Sequence, residues 1–310
     1  MTLSIHKISG FATIQDAGRP GYRQDGVPTC GAMDVASLAL ANSLVGNPAG
    51  AAAIEWALAG GSLRFLTDAM VAVTGAEVEL ARNGAVAHSD VAMEFGSGDE
   101  LAVGRFIRGA YAYVSVRGGI DVRSILGSRS TYLPAGFGGL DGRRLRAGDV
   151  LTAGGEIDAQ RASRTDAKPA PPGTGLRPIR VIEGPNTAAF SRKFRESFWA
   201  SEFTVSPSSN RTGYRLDREP RRDPQGGGAT SEPACVGAIQ VANGAGAIVL
   251  MADGPTVGGY PKIGVVASVD IPALAQRIPG DVVSFERIDA GEAQRILRAA
   301  RSLAWAGAHA

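Results

Sequence analysis

The sequence is poor in the residues that most often carry metal and acid–base chemistry. Its 310 residues include three His (His6, His88, His309), two Cys (Cys30, Cys235) and four Lys (Lys7, Lys168, Lys193, Lys262). None falls into a CxxC or HExxH spacing, which argues against a sequence-local metal site. A His-based triad is hard to assemble from three such scattered positions. Two Cys without a pairing pattern fit a reducing compartment. No run of about 18 apolar residues exists, so no membrane-spanning helix is expected. The first residues, MTLSIHKISG, lack the charged start and apolar stretch of a secretory signal. The net charge is only +2, without the basic excess of a nucleic-acid binder. The GxxxxGK[ST], GxGxxG and GxSxG motifs are absent too, which removes the usual support for a phosphate loop, a dinucleotide fingerprint or a nucleophile elbow. The expectation is a cytoplasmic protein with no nucleic-acid partner, no membrane partner and no metal.

What the chain has in quantity is glycine, 42 residues, with 17 Pro. Spread along the sequence, these mark many turns between short strands. Candidate strands are Met70–Thr74, Glu77–Arg82, Ala110–Val116, Ile179–Glu183, Phe203–Pro207, Ile248–Met251 and Val282–Arg287. A Gly-Asp pair before apolar residues recurs at Gly98-Asp99, Gly148-Asp149 and Gly280-Asp281, each reading as a tight turn feeding a strand. Helices are few. Asp34 caps one through Val45, closed by Gly46. Asp270 caps a second ahead of Ile271-Pro272, and Asp289 opens a terminal helix to about Leu303. Residues 154–178 concentrate Pro, Gly, Ala and charge and read as a linker. The fold class is mainly β: an N-terminal β domain over 1–153 and a C-terminal β domain with a terminal helix over 179–310.

Four polar clusters could carry chemistry. Gln15, Asp16 and Arg19 lie between glycines in a loop whose side chains can converge. Asp34, Asn42 and Asn47 belong to a second cluster, where capping and packing are the simpler account. Ser128, Arg129, Ser130 and Thr131 follow the Gly118-Gly119 pair and offer donors for a carboxylate or phosphoryl group. In the second half, Arg211, Glu232, Gln240, Asp253, Thr256, Tyr260 and Lys262 make the strongest set. Lys262 and Tyr260 could both donate to one ligand oxygen and stabilise negative charge growing on a carbonyl. Arg211 could grip a carboxylate bidentately. A solvated turn is the bland alternative for Lys262.

Taken in order, Thr13–Gly21, Gly31–Asp34, Ala41–Pro48, Glu55 with Gly60–Leu63, Gly118–Asp121, Gly127–Tyr132, Gly142-Arg143 with Gly148-Asp149, Asn210-Arg211, Gly237–Gln240 and Gly258–Lys262 resemble the biotin-dependent carboxyltransferase family, also called the allophanate hydrolase subunit 2 family, which includes the C subunits of 5-oxoprolinases. The resemblance implies two domains with cyclophilin-like barrel character. It implies partners, the sister B and A subunits, in a complex that uses ATP to open 5-oxoproline, a lactam, to glutamate. The other family chemistry transfers carboxyl from carboxybiotin to urea, the biotin coming from another chain. A non-catalytic, partner-binding regulatory module is the third reading. Within the matched motifs, Lys262, Tyr260 and Arg211 are expected to be the catalytic electrostatic set with Asp253 orienting a donor, and Gln240, Thr256, Gln15, Asp16, Arg19 and Arg129 to bind substrate. Two positions depart from the family pattern: Asn210 replaces an acid, and Pro255 replaces an amide.

Overall fold

A computed structural model describes residues 1–154, 177–217, 230–242 and 246–307. They divide into two compact units. Residues 1–19, 30–154 and 303–307 build the first; residues 20–29 join those from 177 to 302 in the second. The expected linker lies almost wholly outside the described residues. The excursion of 20–29 into the second unit has a local cause. The Arg23 guanidinium donates to the Ala234 carbonyl and, at 3.4 Å, to that of Pro255. The chain then reverses through Cys30 and Gly31, both at positive φ.

The first unit is one nine-stranded antiparallel sheet. Its strands are β1 (Thr2–Ile8), β2 (Phe11–Gln15), β3 (Ala53–Ala57), β4 (Gly61–Phe65), β5 (Ala69–Arg82), β6 (Ala85–Ala87), β7 (Ala92–Phe95), β8 (Glu100–Val116) and β9 (Val150–Thr152). The sheet runs β2-β3-β8-β4-β1-β9, and β5 lies along β8 and carries β6 and β7. The long β8 is the spine: its start pairs with β4 and its end with β3, while β5 runs along it. The two segments expected at 70–74 and 77–82 are this single strand β5. Gly75 conceals the continuity, because the register shifts there and φ is +97°. A Cβ at Gly75 would lie 2.5 Å from the Tyr111 carbonyl oxygen, so the bulge needs glycine. Leu3, Ile5, Trp56, Phe65, Val114 and Leu151 fill the core on the buried face. Helix α1 (Val35–Leu44) packs on β5 and β8, and the Thr74 hydroxyl donates to the Ser37 carbonyl at 2.6 Å. Asp34 caps α1 as expected, accepting from the Ser37 amide (2.9 Å) and hydroxyl (2.6 Å).

The second unit closes on itself. Strands β10 (Ile179–Glu183), β11 (Glu202–Val205), β12 (Gly213–Asp217), β14 (Ala238–Ala242), β15 (Gly246–Leu250), β17 (Lys262–Val266) and β18 (Val282–Ile288) form a seven-stranded barrel in the order β10-β17-β14-β15-β12-β11-β18. The barrel shuts where β10 and β18 pair in parallel. A two-stranded ribbon, β13 (Glu232–Pro233) with β16 (Val257–Gly258), stands apart from it. Helix α2 (Arg192–Trp199), not anticipated in the sequence, is capped by Ser191 and buries Phe194 and Phe198. Phe198 stacks on Phe285 and meets Phe203. Helix α4 (Ala290–Gly307) begins after Asp289, whose carboxylate accepts from the Glu292 amide.

One cap reading is corrected. Asp270 precedes α3 (Ile271–Ala275) but makes no side-chain cap. Its carboxylate is held instead by Arg180, through the backbone amide (2.8 Å), Nε (2.9 Å) and Nη2 (2.5 Å). A charge-assisted guanidinium fork outcompetes the neutral amides of a five-residue helix.

Candidate functional site

The C-terminal barrel brings several expected residues together. Arg211, just before β12, and Asp253, after β15, form a buried bidentate pair, Nε–Oδ2 and Nη2–Oδ1 each 2.9 Å. The Asp253 amide also donates to the Arg211 carbonyl at 2.9 Å, so backbone and side chains join the two segments. Lys262 opens β17 and stands opposite Gln240 of β14. Its ammonium is buried and donates to Glu232 Oε1 at 2.6 Å and to the Pro233 carbonyl at 3.2 Å. The Lys262 amide donates to Asn186 Oδ1 at 2.9 Å. The Lys262 hydrogen bond, with a further one from Asn186, holds the Glu232 carboxyl below its ordinary range. Lys262 is therefore a paired, positioned cation.

Gln240 is buried, and its Nε2 meets no hydrogen-bond partner among the described residues. Gly258, paired with Glu232 across the ribbon, leaves it room: a Cβ there would lie 2.5 Å from Gln240 Nε2. A buried amide donor beside a fixed ammonium suits a carbonyl oxygen that accumulates charge. Thr256 contributes its carbonyl to the Ala234 amide at 2.9 Å. Tyr260 is 49% exposed, unlike its neighbour Lys262. A groove of about 690 Å³ lined by Ile182, Glu183, Trp199, Phe285, Arg287, Ile288 and Asp289 shares no residue with this set.

The other expected residues belong to the N-terminal unit. Asp16 is a hub. Its Oδ1 accepts from the Gly18 amide and the Ser128 hydroxyl, both at 2.7 Å, and from the Ser130 hydroxyl; Oδ2 accepts from the Arg129 amide. That carboxylate orders the loop of residues 128–130. Arg129 points its guanidinium elsewhere, to the Val122 carbonyl (2.9 Å) and Asp121 (3.3 Å). Gln15 donates to Thr13 Oγ1 and the Thr131 carbonyl, leaving Oε1 buried without a partner among the described residues. Arg19 is wholly buried.

The sequence motifs assign no role to Tyr113. Its buried hydroxyl donates to Glu55 (2.8 Å) and accepts from the Asp34 amide (2.8 Å), while the Met33 amide donates to the same Glu55 oxygen. Burial, then the charges of Glu55 and Asp34, raise the Tyr113 phenol well above its ordinary range. The end of β8 is buried without a break, which marks Tyr113 no more than its neighbours, and its bond to Glu55, 58 residues away, is not visible in the sequence.

Residues 25–287 match a family model described as carboxyltransferase domain, subdomain A and B. The chain belongs to this carboxyltransferase domain family. Two relatives are the 5-oxoprolinase C subunits of Escherichia coli (36% identical, spanning 94% of this chain and 93% of the relative) and Haemophilus influenzae (37%, 96% and 94%). The crystal structure of the K. lactis urea amidolyase superimposes with a TM-score of 0.88 at 31% identity, over 97% of this chain and 20% of that one. The carboxyltransferase domain thus occurs both at nearly the same length and as a small part of a much longer enzyme. Among the described residues, none of the helices is long and apolar enough to cross a membrane.

Proposed function

We propose that this carboxyltransferase-domain protein is one component of a heteromeric, ATP-dependent amidohydrolase that opens 5-oxoproline, or a related lactam, to the amino acid. The carrying observation is the near end-to-end match to two 5-oxoprolinase C subunits. A lactam carbonyl is a poor electrophile, and the charge that builds on its oxygen needs fixed donors. Lys262 supplies the positive charge, with Glu232 and Pro233 orienting its ammonium. Gln240 supplies an amide donor that the fold leaves unsatisfied. Asp253 holds Arg211, and the pair fixes the segment leading toward Thr256 and Tyr260. ATP belongs to the complex with its sister subunits, and we assign no residue of this chain to its phosphates.

The likeness to urea amidolyase supports a second reading, carboxyl transfer to a urea-like amide. There the same donors would hold the ureido carbonyl of a biotin carried by another chain, which supplies an activated carboxyl group.

The test is reconstitution with the B and A subunits and measurement of ATP-dependent glutamate release from 5-oxoproline. Lys262→Ala should assemble and lose roughly 10²–10³-fold in rate, the usual cost of removing one oxyanion donor. Full activity in an assembled Lys262→Ala complex removes Lys262 from the mechanism. Biotin-dependent carboxylation of an amide, with no lactam opening, moves the assignment to the second reading.

A further inference from the structure

We infer that Arg23 is a positioning residue for Lys262, acting through the β13–β16 ribbon. The inference rests on the lactam reading for the use made of Lys262, whereas the positioning belongs to this chain alone. A residue pair on the ribbon meets a residue pair on the barrel. Glu232 and Gly258 face each other across β13 and β16, and Gln240 and Lys262 face each other across β14 and β17. Glu232 and Pro233 accept from the Lys262 ammonium, and Gly258 lies against the Gln240 amide. The Lys262 side chain is 6% exposed and that of Glu232 34%. The ribbon is the more exposed partner, and its place decides where the ammonium stands.

The ribbon cannot hold that place by its own pairing. Each strand is two residues long, and among the described strands the two pair only with each other. An isolated two-stranded ladder is marginal in water. Next to the ladder the Ala234 amide donates to the Thr256 carbonyl at 2.9 Å. Arg23 closes the base: its Nη2 donates to the Ala234 carbonyl on one stem and, at 3.4 Å, to the Pro255 carbonyl on the other. A guanidinium nitrogen with two hydrogens serves both carbonyls at once, and its charge makes each bond stronger than a neutral one. The turn that presents Arg23 is set locally. Gly26, at φ +79°, donates its amide to the Arg23 carbonyl at 3.1 Å, and the Val27 amide donates to the Tyr22 carbonyl at 3.2 Å. Pro255 departs from the family pattern, yet it enters this contact through its carbonyl, which every residue carries. Asn186 is a second tether on the barrel side, accepting from the Lys262 amide and donating to Glu232. Without Arg23 the stems part and Glu232 leaves the ammonium. A buried cation without its carboxylate is costly, so Lys262 is then driven toward water.

The scarcity of lysine makes the test direct. The full chain is treated with N-hydroxysuccinimidyl acetate, and acetylation of each lysine is followed by mass spectrometry, with the exposed Lys7 and Lys193 as internal references. Lys262 should label slowly in the wild type. Arg23→Met should raise its rate on the order of 10- to 100-fold, the span that loss of a charge-assisted hydrogen bond corresponds to, while hydrogen exchange in β15 stays at the wild-type level. Arg23→Gln, a second variant without the charge, should act in the same direction. Arg23→Lys keeps a charged donor and should restore most of the protection. Glu232→Gln should also raise the rate, and Arg23→Met should add little to it, because both act on one contact. In the reconstituted complex, Arg23→Met should lower kcat for lactam opening about tenfold with KM nearly unchanged, and Arg23→Lys should recover it. Wild-type labelling of Lys262 in both Arg23→Met and Arg23→Gln, additive effects with Glu232→Gln, or equal loss of exchange protection throughout the barrel overturns the proposal. Full kcat in an active complex carrying Arg23→Met overturns it too. A wild-type complex that opens no lactam removes that reading instead, and the labelling, which needs neither partners nor ATP, still decides whether Arg23 positions Lys262.

Discussion

Breaking the Arg211–Asp253 pair separates a structural role from a catalytic one. Side-chain exposures of 7% and 3% put both charges out of water. Each of the two 2.9 Å hydrogen bonds is charge-assisted. Asp253→Ala leaves the Arg211 guanidinium buried without its bidentate carboxylate, and removing one partner of such a pair costs about 3–5 kcal/mol. At roughly 2–4 °C per kcal/mol for a large domain, the melting temperature should fall by something of order 10 °C. The double variant Arg211→Met with Asp253→Leu removes both charges and replaces them by side chains of similar bulk. Exchanges of this kind are close to neutral, so most of the loss should be recovered. The assay is thermal and urea denaturation of the three proteins, followed by activity of the reconstituted complex. If Arg211 acts only by fixing the segment that leads toward Thr256, the stable double variant should regain activity. If its charge is used in the reaction, the double variant should be stable and inactive. A loss below about 1 kcal/mol for Asp253→Ala would refute the burial argument, since exposed pairs are worth no more than that.

Three further outcomes follow from particular contacts. Tyr113→Phe deletes a hydroxyl that bonds both Glu55 and the Asp34 amide, leaving buried polar groups short of a partner; it should cost about 1–3 kcal/mol in urea denaturation. Asp99 accepts from the Gly96 amide and from Asn83 and Arg82, in that order of effect, and its pKa is lowered to about 2. Because the folded value lies below the unfolded one, its stabilisation is present above about pH 4 and is lost as pH falls toward 2. Asp99→Asn should flatten that part of a stability–pH curve. Gly258→Ala places a methyl 2.5 Å from Gln240 Nε2, the movable end of a side chain. It should barely change the melting temperature while lowering activity of the complex, and unchanged activity would remove Gln240 from the donor set.

How much is legible in the sequence depends on the range of the interaction. The Asp34 cap is legible because donor and acceptor lie three residues apart. Capping by Asp270 follows the same rule and fails, because Arg180, 90 residues away, offers a stronger donor. Helix α2 is missing from the sequence expectations although Phe190, Phe194 and Phe198 recur every four residues, the spacing of one helical face. Order-preserving motifs point to Lys262 and Gln240. Glu232 belongs to the same polar set, but nothing in the sequence pairs it with Lys262, 30 residues away. Nor can the motifs separate Arg19 from Arg129, two arginines in equally polar loops with opposite burial. Burial of a long charged side chain is decided by what the rest of the chain places around it.

The recurrent Gly-Asp pair carries more structure than a turn. In Gly96–Asp99, Arg146–Asp149 and Ile278–Asp281, the Asp amide donates to the carbonyl of the first residue, and the Asp carboxylate accepts from that residue's amide. In each, the glycine has φ between 92° and 94°. Its amide donates to a strand residue whose own amide donates back to the Asp carbonyl; the partners are Phe65, Ile5 and Val205. The antiparallel ladder then continues one residue on, as Arg64↔Glu100, Ser4↔Val150 and Thr204↔Val282. One local device therefore starts a strand in register three times, and what differs is the strand that follows. After Asp149 comes β9, three residues that among the described strands pair only with β1, at the sheet's edge. After Asp281 comes β18, seven residues, long enough to hold β11 on one side and β10 on the other. The same turn thus ends a sheet in one unit and closes a barrel in the other, because only the second is followed by a strand with two edges to fill.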